Sequence, residues 1–131
     1  MRLGSLRGQR GQSVVELALV LPILLLLLLG MVDFGRLGAA YLSLQHAARE
    51  GVRLGITGAT DGEIVERIQE SAAAVDARQL TISIAPPEAE RFPGAELTIE
   101  LGYPFRPVTP FIENVMGSEA TLRVRLVSRV E

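Results

Sequence analysis

An acidic side chain at the start of a long apolar stretch is the first feature of the chain that suggests chemistry. Glu16 is the one ionisable residue between Ser13 and Val32. A carboxylate inside a membrane is costly, so it indicates a functional site whose partner has to be identified. Gly11 precedes it by five residues. Because glycine leaves the backbone unhindered, Gly11 suits a site at which a protease cuts the chain.

Cleavage after Gly11 would provide Glu16 with a partner. The new α-ammonium group would lie on Gln12, and the Glu16 carboxylate of one subunit could neutralise the amine of a neighbour at low dielectric constant. The alternative places Glu16 in the lipid headgroup region without a special role, since it lies only four residues into the apolar stretch.

The apolar stretch is long enough to cross a membrane. Ser13–Val32 contains 20 residues, which span roughly 30 Å as a helix. The charges before it are all arginines, and the first charge after it is Asp33, so the N-terminus is predicted to be cytoplasmic. A removable secretory signal peptide is the competing interpretation. The length of the stretch and the poor cleavage site at residues 30–33 argue against it.

We expect the helix to continue beyond the span, with Gly30 and Gly35 as points where it could bend. Apolar residues share one arc of this continuation: Leu37, Tyr41, Leu44, Ala48, Val52 and Gly55. Polar residues share the opposite arc: Arg36, Ser43, His46, Arg49, Glu50 and Arg53. The predicted organisation is a cleaved cytoplasmic leader (1–11), a transmembrane helix (12–33), its amphipathic continuation (34–56) and a small extracytoplasmic domain (57–131).

The outer domain is predicted to be α+β. Thr60 to Glu63 reads as a capping box that opens a short helix. Three alternating apolar segments follow, centred on Ile82, Ile99 and Val124, and predict strands. The predicted fold is a long N-terminal transmembrane helix that extends outward and packs on a small antiparallel sheet with one short helix.

Two further groups are candidates for contact with a partner. Asp33 and Arg36 are three residues apart on the helix, so they either pair at the membrane boundary or bind a partner. Ala47, Gly51 and Gly55 form a series of small residues that permits close approach. This series serves either helix assembly or packing of the chain's own sheet.

Composition argues against an enzyme and against bound cofactors. His46 is the only histidine, cysteine is absent and no nucleophile or phosphate-binding motif occurs. We therefore expect no metal site and no catalysis. The net charge of −2 predicts no binding to nucleic acid.

Several short segments in order resemble the TadE-like family, the pseudopilins of the tight-adherence (Flp) pilus system. They are Gly11-Gln-Ser-Val-Val-Glu16, Gly30-Met-Val-Asp-Phe-Gly-Arg36 and Gln45-His-Ala-Ala-Arg-Glu-Gly-Val-Arg53, within a resemblance that runs from about Gly8 to Leu54. Leu17 stands where many members carry an aromatic residue. Tyr103 to Pro110 is similar to a proline-aromatic segment seen late in such proteins.

The resemblance implies a minor pilin-like subunit that serves pilus assembly and adherence from the bacterial inner membrane. A prepilin peptidase would cut after Gly11 on the cytoplasmic side and leave Glu16 as the fifth residue of the mature chain. The implied partners are this peptidase, membrane lipid, other pilin-like subunits and pilus assembly proteins. The alternatives are a structural pilus subunit and a membrane-tethered binding or structural module unrelated to pili.

Overall fold

A single long helix, α1, makes up more than a third of the chain. The computed structural model describes residues 6–117 and 119–131, and the rest of the leader, residues 1–5, lies outside the described residues. Helix α1 covers Leu6–Gly55, about 75 Å at the usual rise per residue. It begins six residues before the predicted start at Gln12 and runs without interruption through Gly30 and Gly35. It also contains Pro22, a residue that helices tolerate better in membranes than in water.

The remaining elements form the small outer domain. Helix α2 (Asp61–Ser71) is followed by strand β1 (Thr81–Ala85), strand β2 (Glu96–Phe105), helix α3 (Pro110–Met116) and strand β3 (Ala120–Arg129). Short 3-10 turns cover Ala77–Gln79 and Glu88–Glu90. The α+β prediction is confirmed, because a long apolar helix and a short helix accompany a three-stranded antiparallel sheet.

The sheet has β2 in the centre, with β1 and β3 antiparallel on either side. In the register, Ile82 lies opposite Leu101, and Leu101 lies opposite Val124. Apolar side chains therefore occupy one face of all three strands, as alternation predicts. That face packs against α1 and α2. The buried core consists mainly of Leu44, Ala47, Ala48, Ile64, Ile68, Leu97, Ile99, Leu101 and Val124.

The buried stripe of α1 is rotated relative to the predicted apolar arc. Tyr41 was assigned to that arc, but it is 42% exposed and its hydroxyl accepts a hydrogen bond from Gln45 at 3.0 Å. Ala40, Ala47 and Gly51 are buried instead. Leu44, Ala48 and Gly55 of the predicted arc are buried as well. The added small residues let the outer domain approach the helix axis closely.

The predicted capping box of α2 is confirmed. The Thr60 N–H donates to the Glu63 carboxylate at 2.9 Å, and the Glu63 N–H donates to the Thr60 hydroxyl at 3.3 Å. Hydrogen bonding from the Thr60 backbone lowers the pKa of Glu63. The cap fixes where the helix begins, so that Ile64 and Ile68 both face the core.

Helix α3 is an element that the sequence analysis missed. It lies in the connection between β2 and β3, and the proline-aromatic segment, Tyr103 to Pro110, runs from the end of β2 to the first residue of α3. Thr109 is its N-cap residue and Pro110 occupies its first turn. Proline after a capping threonine is a recognised start signal for a helix, and this signal could have identified α3 in the sequence.

Candidate functional site

The predicted processing segment lies on the exposed N-terminal part of α1. Gly11 has open space around it, and Glu16 is exposed. The Gln12 side-chain amide donates a hydrogen bond to the Glu16 carboxylate at 3.2 Å. This contact joins residues one helical turn apart, so the residue that cleavage would make N-terminal lies on the same side of the helix as the carboxylate.

The apolar stretch after Glu16 makes no packed contact with the outer domain. No residue from Leu17 to Val32 is buried, and the leucines along this stretch are widely exposed, for example Leu19 at 69% and Leu27 at 58%. Water does not stabilise such a surface. Among the described residues, α1 is the one helix that is long and apolar enough to cross a membrane. By length and composition it is a candidate membrane span.

Asp33 lies where this exposed stretch meets the outer domain, and its side chain is almost fully enclosed. Asp33 is 3% exposed. The Val108 N–H donates to both carboxylate oxygens, at 2.8 and 3.1 Å, and the Thr109 N–H donates to one of them at 2.8 Å. Hydrogen bonds from backbone N–H groups to a carboxylate are among the stronger ones in proteins. Asp33 therefore attaches the start of α3 to α1.

The predicted pair of Asp33 and Arg36 is present, and both residues also contact a part of the chain that is distant in sequence. The Arg36 guanidinium donates to Asp33 at 3.1 Å and to the Arg106 carbonyl at 3.4 Å. The guanidinium also lies 5.4 Å from the centre of the Phe105 ring, within the range of a cation–π contact. Both residues thus bind the segment that follows β2. No pattern in the sequence links residue 33 to residues 105–109, because the contact depends on the tertiary fold.

Gly51 and Gly55 face the outer domain of their own chain. A Cβ atom at Gly51 would lie 2.6 Å from Ile68, and one at Gly55 would lie 2.4 Å from Leu97. Both glycines are buried. Of the two interpretations of the small-residue series, the structure places these residues in the packing of the chain's own α2 and β2. It does not place them on a free surface that a partner helix could contact.

A second polar contact joins α1 to α2. Arg67 donates to the Glu50 carboxylate through Nε and Nη2, at 3.3 and 2.9 Å, and Arg53 donates to it at 2.9 Å. The hydrogen bonds from Arg53 and Arg67 lower the pKa of Glu50. The side chains of this network are partly exposed, so it adds little to the packing of α2 on α1, which depends mainly on buried apolar residues.

The remaining polar residues do not assemble a reactive site in the part of the chain that the structure describes. His46 is exposed on α1. Across residues 6–117 and 119–131, no group of three or more His, Cys, Asp or Glu side chains is placed to hold a metal ion. That the protein is not an enzyme stays a prediction.

Comparison with known proteins agrees with the sequence analysis on the N-terminal part of the chain. The model of a family described as TadE-like protein matches residues 11–53, which confirms the predicted resemblance over that segment. Searches of curated proteins and of solved structures found no match. The matched segment contains the predicted processing residues, the apolar stretch, Asp33, Arg36 and Gly51, and it ends before the outer domain.

Proposed function

We propose that this chain is a membrane-anchored, pilin-like subunit that takes part in assembly of a Flp-type (tight-adherence) pilus. The observation that carries the proposal is the division of α1 into two halves. From Ser13 to Val32 the helix exposes an apolar surface in which Glu16 is the one ionisable side chain, and from Asp33 to Gly55 one face of it is buried against a small α+β domain. The TadE-like match over residues 11–53 supports it.

The subunit is anchored in the bacterial inner membrane with its N-terminus in the cytoplasm. Arginines precede the apolar stretch and Asp33 is the first charged residue after it, which favours this orientation. The outer domain then lies outside the cytoplasm. It acts there as a minor subunit, or pseudopilin. It carries a folded domain in addition to the helix through which subunits pack.

A prepilin peptidase hydrolyses the bond between Gly11 and Gln12. Water adds to this peptide bond, which leaves a carboxylate on Gly11 and an amine on Gln12. At neutral pH that amine is largely protonated, since an α-amino group has a pKa near ~8. The peptidase requires an extended backbone, and Gly11 makes local opening of the helix easier, by about 1 kcal/mol relative to alanine.

The cut changes the electrostatics around Glu16. The new α-ammonium lies at the positive end of the helix dipole, where the first N–H groups of α1 lack partners within the helix. In a bundle of subunits, the Glu16 carboxylate of one chain neutralises the α-ammonium of its neighbour. In a medium of low dielectric constant, this pairing favours one axial register over others. Lateral packing of the apolar helix halves supplies the remaining contact.

The test is co-purification of pilin-like partners from membranes of cells that produce Glu16→Ala. We expect cleavage to proceed and recovery of partner subunits to fall at least tenfold, because the α-ammonium loses its counter-ion. Glu16→Gln should fail as well, since it keeps the size but not the charge. Glu66→Ala, which removes an exposed carboxylate from α2, is the control and should leave recovery unchanged.

Unchanged recovery with both Glu16 variants would remove the proposed role of the carboxylate. A membrane-tethered module unrelated to pili would retain residues 1–11 and recover no pilin-like partner in any variant. A structural subunit would be recovered in large excess over its partners, whereas a minor subunit is recovered at lower amounts than they are.

A further inference from the structure

The uncharged part of the predicted span is short for a membrane. Leu17–Val32 is 16 residues long, about 24 Å as a helix, whereas the hydrocarbon core of a bilayer is about 30 Å thick. A core of this thickness that begins at Ser13 ends at Val32, and one that begins at Glu16 reaches about four residues beyond Val32. The first turn after the predicted span, and whatever packs on that turn, then lies at the level of the outer leaflet.

The charged group at this level is withdrawn from lipid. Asp33 is 3% exposed, and its oxygens accept hydrogen bonds from the N–H groups of Val108 and Thr109 and from Arg36. Ionisable residues at membrane depth occur where the protein itself provides their partners. The enclosure of Asp33 fits a position at the edge of the hydrocarbon core.

The surface around Asp33 is apolar and exposed. Phe34 on α1 is 74% exposed, and Val108, in the segment before α3, is 58% exposed. Between α1 and α3 lies a cavity of about 190 Å³. Apart from Asp33 and Gly117, it is lined by apolar side chains: Phe34, Leu37, Phe105, Pro107, Ile112 and Ala120. We call Phe34, Leu37, Pro107, Val108 and Ile112 the rim of the outer domain.

We propose that the rim is immersed in the outer leaflet and that an acyl chain of a phospholipid fills the cavity between α1 and α3. The rim continues the exposed apolar surface of the span, so lipid that covers the span reaches it. A water molecule in the cavity would find few hydrogen-bond partners. It needs two to four of them, and the Asp33 oxygens already accept hydrogen bonds from the protein. Exposed guanidinium groups of Arg36 and Arg106 lie beside the rim, where they suit lipid phosphates.

This inference rests on the proposed membrane anchoring and goes beyond it, because it concerns the base of the outer domain. The chain contains no cysteine, so one introduced cysteine can carry a nitroxide label at a chosen position. The reporter is Val108→Cys on the rim, with Ile112→Cys as a second rim position. Val127→Cys is the matched control, because Val127 lies on β3 and is similarly exposed, at 51% against 58% for Val108. Leu25→Cys reports on the span itself.

The full chain is placed at one copy per nanodisc of phosphatidylcholine and phosphatidylglycerol, so that a second copy cannot cover the rim. Collision of the nitroxide with oxygen, which concentrates in lipid, is compared with collision with a water-soluble nickel chelate. We expect the ratio of oxygen to nickel collisions to be at least threefold higher for labels at 108 and 112 than at 127. A phospholipid with a photoreactive acyl chain should also cross-link to residues that line the cavity.

Equal ratios of oxygen to nickel collisions at 108, 112 and 127, together with a high ratio at 25, would overturn the proposal and leave the membrane anchor in place. Low access of both reagents at 108 and 112 would show that protein covers the rim, which also overturns it. A low ratio of oxygen to nickel collisions at 25, as for a label in water, would contradict the membrane anchor itself, and with it both proposals. Cross-links confined to α1 between residues 17 and 32 would contradict occupation of the cavity by lipid.

Discussion

At the scale of single residues, Asp33 and Glu16 use the same chemical group in opposite ways. Both are carboxylates at an end of the apolar stretch. Asp33 is enclosed and bonded by its own chain, whereas Glu16 is exposed and accepts a local hydrogen bond from Gln12 at 3.2 Å. A carboxylate that is satisfied within the fold stabilises that fold. One that faces outward in an apolar surface is available to a neighbouring molecule.

The role of Asp33 can be tested by substitution. Asp33→Ala leaves the enclosed N–H groups of Val108 and Thr109 without an acceptor, so we expect a loss of about 2 kcal/mol in the free energy of unfolding of the outer domain. Asp33→Asn keeps one acceptor oxygen and should cost about half as much. Urea titration in detergent micelles measures both values, and hydrogen exchange should become faster at the amides of residues 108 and 109.

Glu113→Ala is the control for this measurement, because it removes an exposed carboxylate from α3 itself. We expect its effect to stay below about 0.5 kcal/mol. If Asp33→Ala were as mild as Glu113→Ala and the exchange rates at residues 108 and 109 did not change, the attachment of α3 through Asp33 would be refuted.

At the scale of elements, the fit of α1 to the outer domain depends on small residues in its second half. Gly51 and Gly55 let Ile68 of α2 and Leu97 of β2 approach the helix backbone more closely than any side chain would allow. Gly38 lies in the same helix with open space around it. The glycines of α1 therefore serve different purposes according to what packs on them.

Alanine at these positions should give opposite results. Gly51→Ala places a Cβ 2.6 Å from Ile68, so we expect a loss of about 1–3 kcal/mol from overpacking. Gly38→Ala adds a better helix former in open space and should be neutral or stabilising by up to about 1 kcal/mol. Thermal unfolding of both variants in the same detergent provides the comparison. Equal changes in the two melting temperatures would contradict the packing of α1 on α2.

Local patterns predicted most elements of the fold, and tertiary contacts account for what they missed. The capping box at Thr60 and the alternation along β1, β2 and β3 act within a few residues, so the sequence contains their signals. Three features were not predicted. Helix α3 was missed although Thr109 and Pro110 mark its start. The buried stripe of α1 includes Ala40, Ala47 and Gly51 and leaves Tyr41 exposed, and the partners of Asp33 are 75 and 76 residues away along the chain.

In the candidate site, too, some residues were predicted from local patterns and others have contacts that only the tertiary fold determines. Gly11, Gln12 and Glu16 were predicted from residue types and spacing along one helix, and their role in processing stays a prediction. The attachment of Asp33 to residues 108 and 109 requires knowledge of how the β2–β3 connection folds back onto α1. The assignment of Gly51 and Gly55 to intramolecular packing likewise depends on which element covers them, and the sequence allowed both interpretations.

At the scale of the whole molecule, one uninterrupted helix connects the processing segment to the outer domain. Helix α1 passes from Gly11, through the apolar stretch, to Gly51 and Gly55 in the core. Asp33 and Arg36 hold the base of the outer domain to this helix just after the stretch ends. A displacement of the helix within a bundle would therefore carry the outer domain with it, since both are parts of one packed unit.

The mass of the mature N-terminal peptide tests the central claim most directly. The chain is produced in cells that contain a prepilin peptidase, purified from the membrane and analysed by mass spectrometry. We expect the sequence to begin at Gln12. Gly11→Val should retain residues 1–11, because a branched side chain hinders the backbone at the cut site, whereas the matched variant Gly8→Ala should be processed normally. A wild-type chain that keeps its leader, or that begins beyond Asp33, would contradict the pilin-like account.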